Sequence, residues 1–529
     1  MTHSSDSLVP LPHRLLGLGL VAFSLLASRC TRLESASDFF PQAASAGGIA
    51  GANGPGVMGG TGNVGIGAGG MAQGLPIGGG NSVGGSVSGG ASGGPNGLSG
   101  GAGANGTGGA ANASCPPVPE RVRVELGGPA GLDIAEDTTW TCRNLYVLMG
   151  QVFVRAGFTL RIEAGTVVQA AHPQAFLLSV RGGRIEAFGT EQAPILFTSG
   201  KVVGTRAAGD WRGLILIGGA RTNQAPNSTV HDTVGDARAQ YGGGPLGPGS
   251  GSCGILRYVR VEYAGGNIGD NALPAAGLTL AGCGSETIVE NVHVHRSGDG
   301  IGLLGGTAPL RKVIVSGALD DGIEWVSGYT GSMQYVVVQM YGAFSTALTS
   351  NNSESNPSAD PASEPTIFNA TLVGNPQSPL TSDQETGVAF AFGGGGYLRN
   401  SVVLGFRKWA SDVLGGESTA LATSGKLDVS HSIFFGNSDP AFPGTADDLF
   451  DETAFFTDES RKNRFVDPQL VRPQDELAPD FSPMSSEVDQ LPAQIPTDLD
   501  SLAVFRGALP VQVFGATDWT KGWTAFPRN

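Results

Sequence analysis

Two short acidic turns carry the residues best suited to chemistry. Ser297-Gly298-Asp299-Gly300 and Asp320-Asp321-Gly322-Ile323-Glu324-Trp325 hold four carboxylates, with Arg296 and Arg311 close by in the chain. A hard cation such as Ca²⁺ takes about 6 to 8 oxygens at about 2.3 to 2.6 Å, so Asp299, Asp320, Asp321 and Glu324 are candidate ligands if the turns stack. Asp before Gly is equally ordinary turn chemistry, in which the carboxylate accepts backbone N–H groups. The following stretch, Tyr341-Gly342-Ala343-Phe344, carries no acid, so the acidic ladder is expected to stop there.

Other side chains are also placed for function. His293 and His295 alternate with Val292 and Val294, the period of a half-buried strand, so both rings are expected on its outer face. There they would form a zinc or copper pair, or a solvated ladder with Glu262 as cross-strand partner. Sugar rings pack on aromatic faces, and Trp325, Tyr329, Tyr335 and Tyr341 cluster in the same part of the chain. Trp325 and Tyr329 are the glycan-stacking candidates, against the plainer reading that Trp325 fills the interior. Trp519 and Trp523, in the closing "DWTKGWTAF", read as a terminal lid.

The elements that must position these residues are repeats of short strands. "RIEAGT" from Arg161 and "RIEAFGT" from Arg184 read as equivalent turns of neighbouring units. Val259, Val292, Val313 and Val336 stack in one column, which puts Arg260 beside His293 and Glu262 beside His295. "FNATLVGN", "RNSVVLGF" and "SHSIFFGN" place Gly374, Gly405 and Gly436 at two successive intervals of 31 residues. Units of roughly 20 to 50 residues with one short strand each describe a stacked array. The expected architecture is all-β, a right-handed parallel β-helix over 115–437, with an antiparallel sandwich as the alternative.

The rest of the chain differs in composition. Gly47 to Gly109 contains 29 Gly in 63 positions, and no Asp, Glu, Lys or Arg occurs from Phe39 to Pro119. Such a segment buries little and loses much backbone entropy on ordering, so 30–114 reads as a disordered Gly-rich spacer. The letters Gly90-Ala91-Ser92-Gly93-Gly94 fit a serine-hydrolase elbow but lack the strand and helix that the elbow needs. Before the spacer, His13 and Arg14 precede an apolar run from Leu15 to Ala27, the pattern of a signal peptide over 1–29. From Ser438 onward 16 Asp and Glu stand against 7 Lys and Arg in Pro-broken sequence, which predicts an acidic, loop-rich C-terminal cap over 438–529. With a formal charge of −15 and no basic patch, nucleic-acid binding is excluded.

Cysteine usage agrees with export. Cys115, Cys142, Cys253 and Cys283 form an even set without C-x-x-C spacing, so two disulfides are expected. Three connectivities are open; Cys115 with Cys142 and Cys253 with Cys283 would close two local loops.

"GDWRGLILIGGARTN" from Gly209, "GILRYVRVEYAGG" from Gly254, "GLTLAGCGSETIVENVHVHRSGDG" from Gly277 and "DWTKGWTAF" from Asp518 resemble a family of exported bacterial proteins, often lipoproteins, with a parallel β-helix. "LLASRC" is similar to a lipobox, which makes Cys30 the lipidation candidate, although Arg29 stands where that pattern has a small residue. The resemblance implies an exported protein at the outer membrane or cell surface, or secreted, whose only membrane attachment is the N-terminal lipid. It implies little chemistry. A non-catalytic role in adhesion or polysaccharide binding is the expected function. The alternative is a Ca²⁺-dependent polysaccharide lyase or hydrolase on an acidic glycan, since the pectate-lyase-like enzymes use this scaffold. No nucleotide, haem or flavin motif appears, so Ca²⁺ is the cofactor to test.

Overall fold

The computed structural model describes residues 115–128, 130–225, 228–230, 236–243, 251–266, 275–342, 346–377, 385–439, 441–445, 449–512 and 517–529. The signal-peptide, Cys30 and Gly-rich spacer readings lie outside the described residues.

Short strands coil into a three-sided parallel β-helix. One face stacks Asn144–Leu148, Val167–Ala170 and Ile195–Ser199, then continues through the second halves of Gly254–Glu262, Ile288–His295, Leu310–Ser316, Ser332–Gln339 and Thr366–Val373. A second face runs from Leu132–Ile134 through Ala276–Cys283, Asp299–Gly306, Asp321–Val326 and Thr346–Asn351 to Trp409–Val413. The third face begins with Thr138–Trp140, Thr159–Glu163 and Arg184–Phe188 and passes into the first halves of the long strands.

A column of bent residues makes the first and third faces meet. Tyr258, Asn291, Lys312, Tyr335, Asn369, Asn400 and His431 all have φ between 50° and 61°. Non-glycine residues seldom adopt this left-handed conformation, and Asn tolerates it best, which accounts for three of the seven. Each residue turns the chain once per coil without ending the stack.

The stacking follows the expected columns. Val259 pairs with Val292, Val292 with Val313 and Val313 with Val336, while Arg260 lies against His293 and Glu262 against His295. Thr371 pairs with Val402 and Val402 with Ile433, the 31-residue repeat. One register differs. The two "RIEA" phrases occupy neighbouring coils, but Arg161 faces Glu186 rather than Arg184. A slip of two residues keeps Leu160 and Ile162 inside with Ile185 and Ala187, and it converts a like-charge neighbour into the Arg161–Glu186 ion pair of 3.3 Å.

Two disulfides, Cys115–Cys142 and Cys253–Cys283, join residues 27 and 30 apart. The interior is a continuous aliphatic stack with Trp140 lying on Tyr146 near its start. At the other end Phe434, Phe442 and Phe456 close the last coil, with Phe456 carried on the short helix Glu452–Thr457.

The C-terminal segment does more than cover an end. Ile314, Val337, Val402 and Leu404 point outward from the first face and are buried under Phe481, Val488, Leu509 and Trp523. The lid reading of Trp519 and Trp523 is therefore corrected, because Trp523 stands edge-on to Tyr258 on the flank of the helix. The reason is the apolar outer columns of that face, which the C-terminal segment covers.

Candidate functional site

The acidic turns sit at the corner where the second face begins. Their glycines are fixed by packing. A Cβ at Gly300 would collide with Val315 Cγ1 and the Gly322 carbonyl, and one at Gly322 with Val338 Cγ1 and the Ala347 carbonyl. The same corner is Gly277 one coil earlier, where a Cβ would lie 2.7 Å from Val294 Cγ1, and Gly387 further on, where it would meet Val403. The Gly of each Asp-Gly pair thus belongs to the core.

The Asp residues open the strands that follow. Asp299 starts Asp299–Gly306 and Asp321 starts Asp321–Val326, and an Asp299 carboxylate oxygen accepts the Asp321 N–H at 3.1 Å. Asp321 is itself the acceptor for the Thr349 hydroxyl at 2.6 Å, and Glu324 for the Asn351 amide at 3.1 Å. In the next coil Thr346 is the partner of Asp321 and Thr349 that of Glu324, followed by Thr386 and Ala389. The ladder therefore stops being acidic one coil after Asp321, but the equivalent position is Thr346-Ala347 and not Tyr341-Gly342. Corner-to-corner spacing lengthens here, so counting from the sequence stopped short.

Electrostatics within the cluster are repulsive. Burial, then Asp320, Asp321 and Glu324, push the Asp299 carboxyl well above the usual carboxylate range. Burial, then Asp320 and Glu324, do the same to Asp321, and Asp320 is pushed up to about 7 by burial and then by Glu324. Arg296 and Arg311 do not relieve this. Arg296 lies over the Tyr341 ring and pairs with Glu476 at 3.2 Å, while Arg311 pairs with Asp500 at 3.1 Å. Both belong to the outer side of the first and third faces, where the C-terminal segment engages them. Among the described residues no three His, Cys, Asp or Glu side chains converge as a metal centre.

The histidines are not where alternation alone would leave them. Their rings do leave the strand outward, yet both are fully buried beneath the C-terminal segment. His295 Nε2 donates to the Pro527 carbonyl at 2.7 Å, so its Nδ1 accepts from the Ser316 hydroxyl at 2.8 Å. Ser316 Oγ in turn accepts from His293 Nε2 at 2.8 Å. The acceptor role of Nδ1 requires a neutral imidazole at His295. The solvated-ladder reading is corrected, and so is the pairing with Glu262, whose carboxylate is taken by Arg260 and by the Thr198 hydroxyl at 3.0 Å. Burial holds the His293 imidazole well below its ordinary value, and burial likewise lowers His295 to about 3.

The aromatic candidates are also internal. Trp325 and Tyr329 are each 1% exposed, and the Tyr329 hydroxyl donates to the Ala308 carbonyl at 2.7 Å, so neither offers a face to a sugar. Trp325 follows Leu303 in an interior column, on the inward side it shares with Ile323, so the plainer reading that it fills the interior holds. Tyr335 donates to Asp500 at 2.9 Å and Tyr341 to the Glu476 carbonyl at 3.2 Å, both beneath the C-terminal segment.

Sequence reasoning missed a groove of about 690 Å³ on the last coils of the third face, between Arg399, Asp428, Ser430, His431 and Arg461 on one side and Pro492–Thr497 on the other. Its residues are scattered from Arg399 to Thr497, and no local motif joins them.

Over residues 132–463, more than half of the chain, the sequence matches the family model described as a pectate-lyase like beta helix domain. No curated protein and no solved structure matches it. Parallel strands coiled on three faces and this match lead to one assignment: the chain belongs to the family of pectate-lyase-like β-helix domains.

Proposed function

We propose that this is an exported, non-catalytic protein of the cell envelope that binds a glycan along the second face of its β-helix. The observation that carries the reading is the company of the carboxylates. A lyase of this scaffold needs a cationic base beside its acid cluster, and here Arg296 and Arg311 are committed elsewhere. What remains is a row of hydrogen-bonding side chains, Asp299, Asp321, Glu324, Thr346, Thr349 and Asn351, half-buried along one face. Carboxylates and amides in such a row accept and donate to sugar hydroxyls without turnover. Two disulfides support export, because they persist in oxidising compartments. Attachment through a lipid on Cys30 would present the helix away from the membrane.

One observation favours a hydrolase as the second reading. Asp320, raised to about 7, suits a general acid at neutral pH. The test is a glycan array probed with full-length protein and with Asp321→Ala, with Ca²⁺ and with chelator. Retention of a neutral or acidic glycan that falls at least about tenfold in the variant, with no shortening of the glycan, supports the binding reading. Shortened products abolished by Asp321→Ala would replace it with the enzyme.

A further inference from the structure

The groove on the last coils carries chemistry of its own, independent of the second face. Tyr397 and Asp428 are paired in neighbouring coils, as are Arg399 and Ser430, so these side chains form two short columns on one wall. Arg461 reaches the same wall from the turn after the closing helix, its guanidinium 3.4 Å over the Phe455 ring. One carboxylate serves both arginines. Arg399 Nε donates to one Asp428 oxygen at 2.8 Å and Arg461 to the other at 2.5 Å, and Ser430 also donates to Asp428 at 2.7 Å.

That arrangement leaves donors over. Among the described residues the Arg399 guanidinium, 5.1 Å from the Tyr397 ring centroid, makes its only hydrogen bond through Nε, so its two terminal nitrogens can donate at the groove. Behind the wall the Arg506 guanidinium is fully buried and is held by backbone carbonyls alone, those of His431 at 2.6 Å, Lys462 at 3.1 Å, Leu491 at 3.2 Å and Glu487 at 3.4 Å. Arg506, Arg399 and Lys462 act on His431 with Asp428 as the opposing charge, and Asp458 is the further carboxylate near Arg461. With Arg464 and Glu487, which act on Arg506, five cations against three carboxylates make a local positive excess in a chain of formal charge −15. Asp428 holds two planar guanidiniums in place while itself balancing only one of their two charges, and two fixed planar donors are the pre-organisation that planar oxyanions require.

We infer that this groove binds a small organic anion through a carboxylate or phosphate group seated on Arg399 and Arg461. Its volume lies within the range of ordinary ligand pockets, about 300 to 1,000 Å³. His431, Ser430 and the backbone of 492–497 would then meet the uncharged part of the ligand.

Isothermal titration of the full-length protein tests this with three probes: a trigalacturonate, inorganic phosphate and a neutral trisaccharide. The expected result is one-site binding of an anion, weakened by added salt, with no heat from the neutral sugar. Arg399→Gln should weaken it at least about tenfold and Arg399→Lys should restore part of the loss, both with an unchanged melting temperature. Binding of trigalacturonate alone identifies the carboxylate source, and binding of phosphate identifies the phosphate source. The inference is overturned if neither anion binds, if the neutral sugar binds as tightly, or if Arg399→Gln leaves the affinity unchanged.

Discussion

Acid should loosen the protein through the buried histidines, and the structure sets the size of the effect. His295 titrates near 6.5 in the unfolded chain and at about 3 when folded, chiefly because of burial, with Arg260 and Arg296 adding to it and the Pro527 carbonyl opposing. Its folded value is depressed, so the stability it contributes is complete above pH 6.5 and drains away as pH falls toward 3. At pH 5 the loss from His295 is about 2 kcal/mol, rising to about 4 kcal/mol by pH 3. His293 shifts in the same direction and adds to the loss. The acidic corner works oppositely. Asp299, Asp320 and Asp321 have raised values when folded, so their mutual repulsion is relieved as pH falls. The two contributions separate by comparing the wild type with His295→Gln, which retains an amide donor for Pro527 and leaves the carboxylates untouched. Urea unfolding at pH 7.5 and 5 should show the stability gap between the two narrowing by about 2 kcal/mol. A gap that stays constant across that range, or a His295 resonance titrating near pH 6.5 in the folded protein, would refute the reasoning.

Three further outcomes follow from the packing. Asp321→Asn keeps an acceptor for Thr349 and removes one charge from the corner, so it should raise stability at pH 8 by about 1 kcal/mol, with the gain fading by pH 4 in thermal melts. Gly322→Ala places a methyl against Val338 and the Ala347 carbonyl and should cost about 1 to 3 kcal/mol by urea unfolding, whereas the same change at Gly416, where a Cβ meets nothing, should not destabilise. Cys253→Ala with Cys283→Ala opens a loop of 30 residues and should cost about 3 to 4 kcal/mol, read as a lower denaturation midpoint that added reductant lowers further only through Cys115–Cys142.

The coil was legible because its repeats are spaced by side-chain columns that sequence shows directly. Val259, Val292, Val313 and Val336 fall in one column, and the two observed disulfides are the pairs that close local loops. What escaped notice was anything that depends on a second layer. His293 and His295 alternate as outward residues should, and strand periodicity carries no sign that residues 519–529 return to bury them. The bent column from Tyr258 to His431 was hidden because seven positions with one backbone conformation are filled by four residue types. Arg296 and Arg311 are near the acidic turns in sequence but on other faces of the coil, since one turn of chain separates neighbours by a corner.

The carboxylate row of the second face is proposed to bind a glycan without cleaving it. The most direct measurement incubates full-length protein with polysaccharides it retains, with Ca²⁺ and with chelator, and follows new unsaturated and reducing ends alongside bound ligand. Retention that depends on Asp299 and Asp321, with no new ends over many hours, is the predicted result. New ends that disappear in Asp321→Ala would contradict it and make this corner an active site.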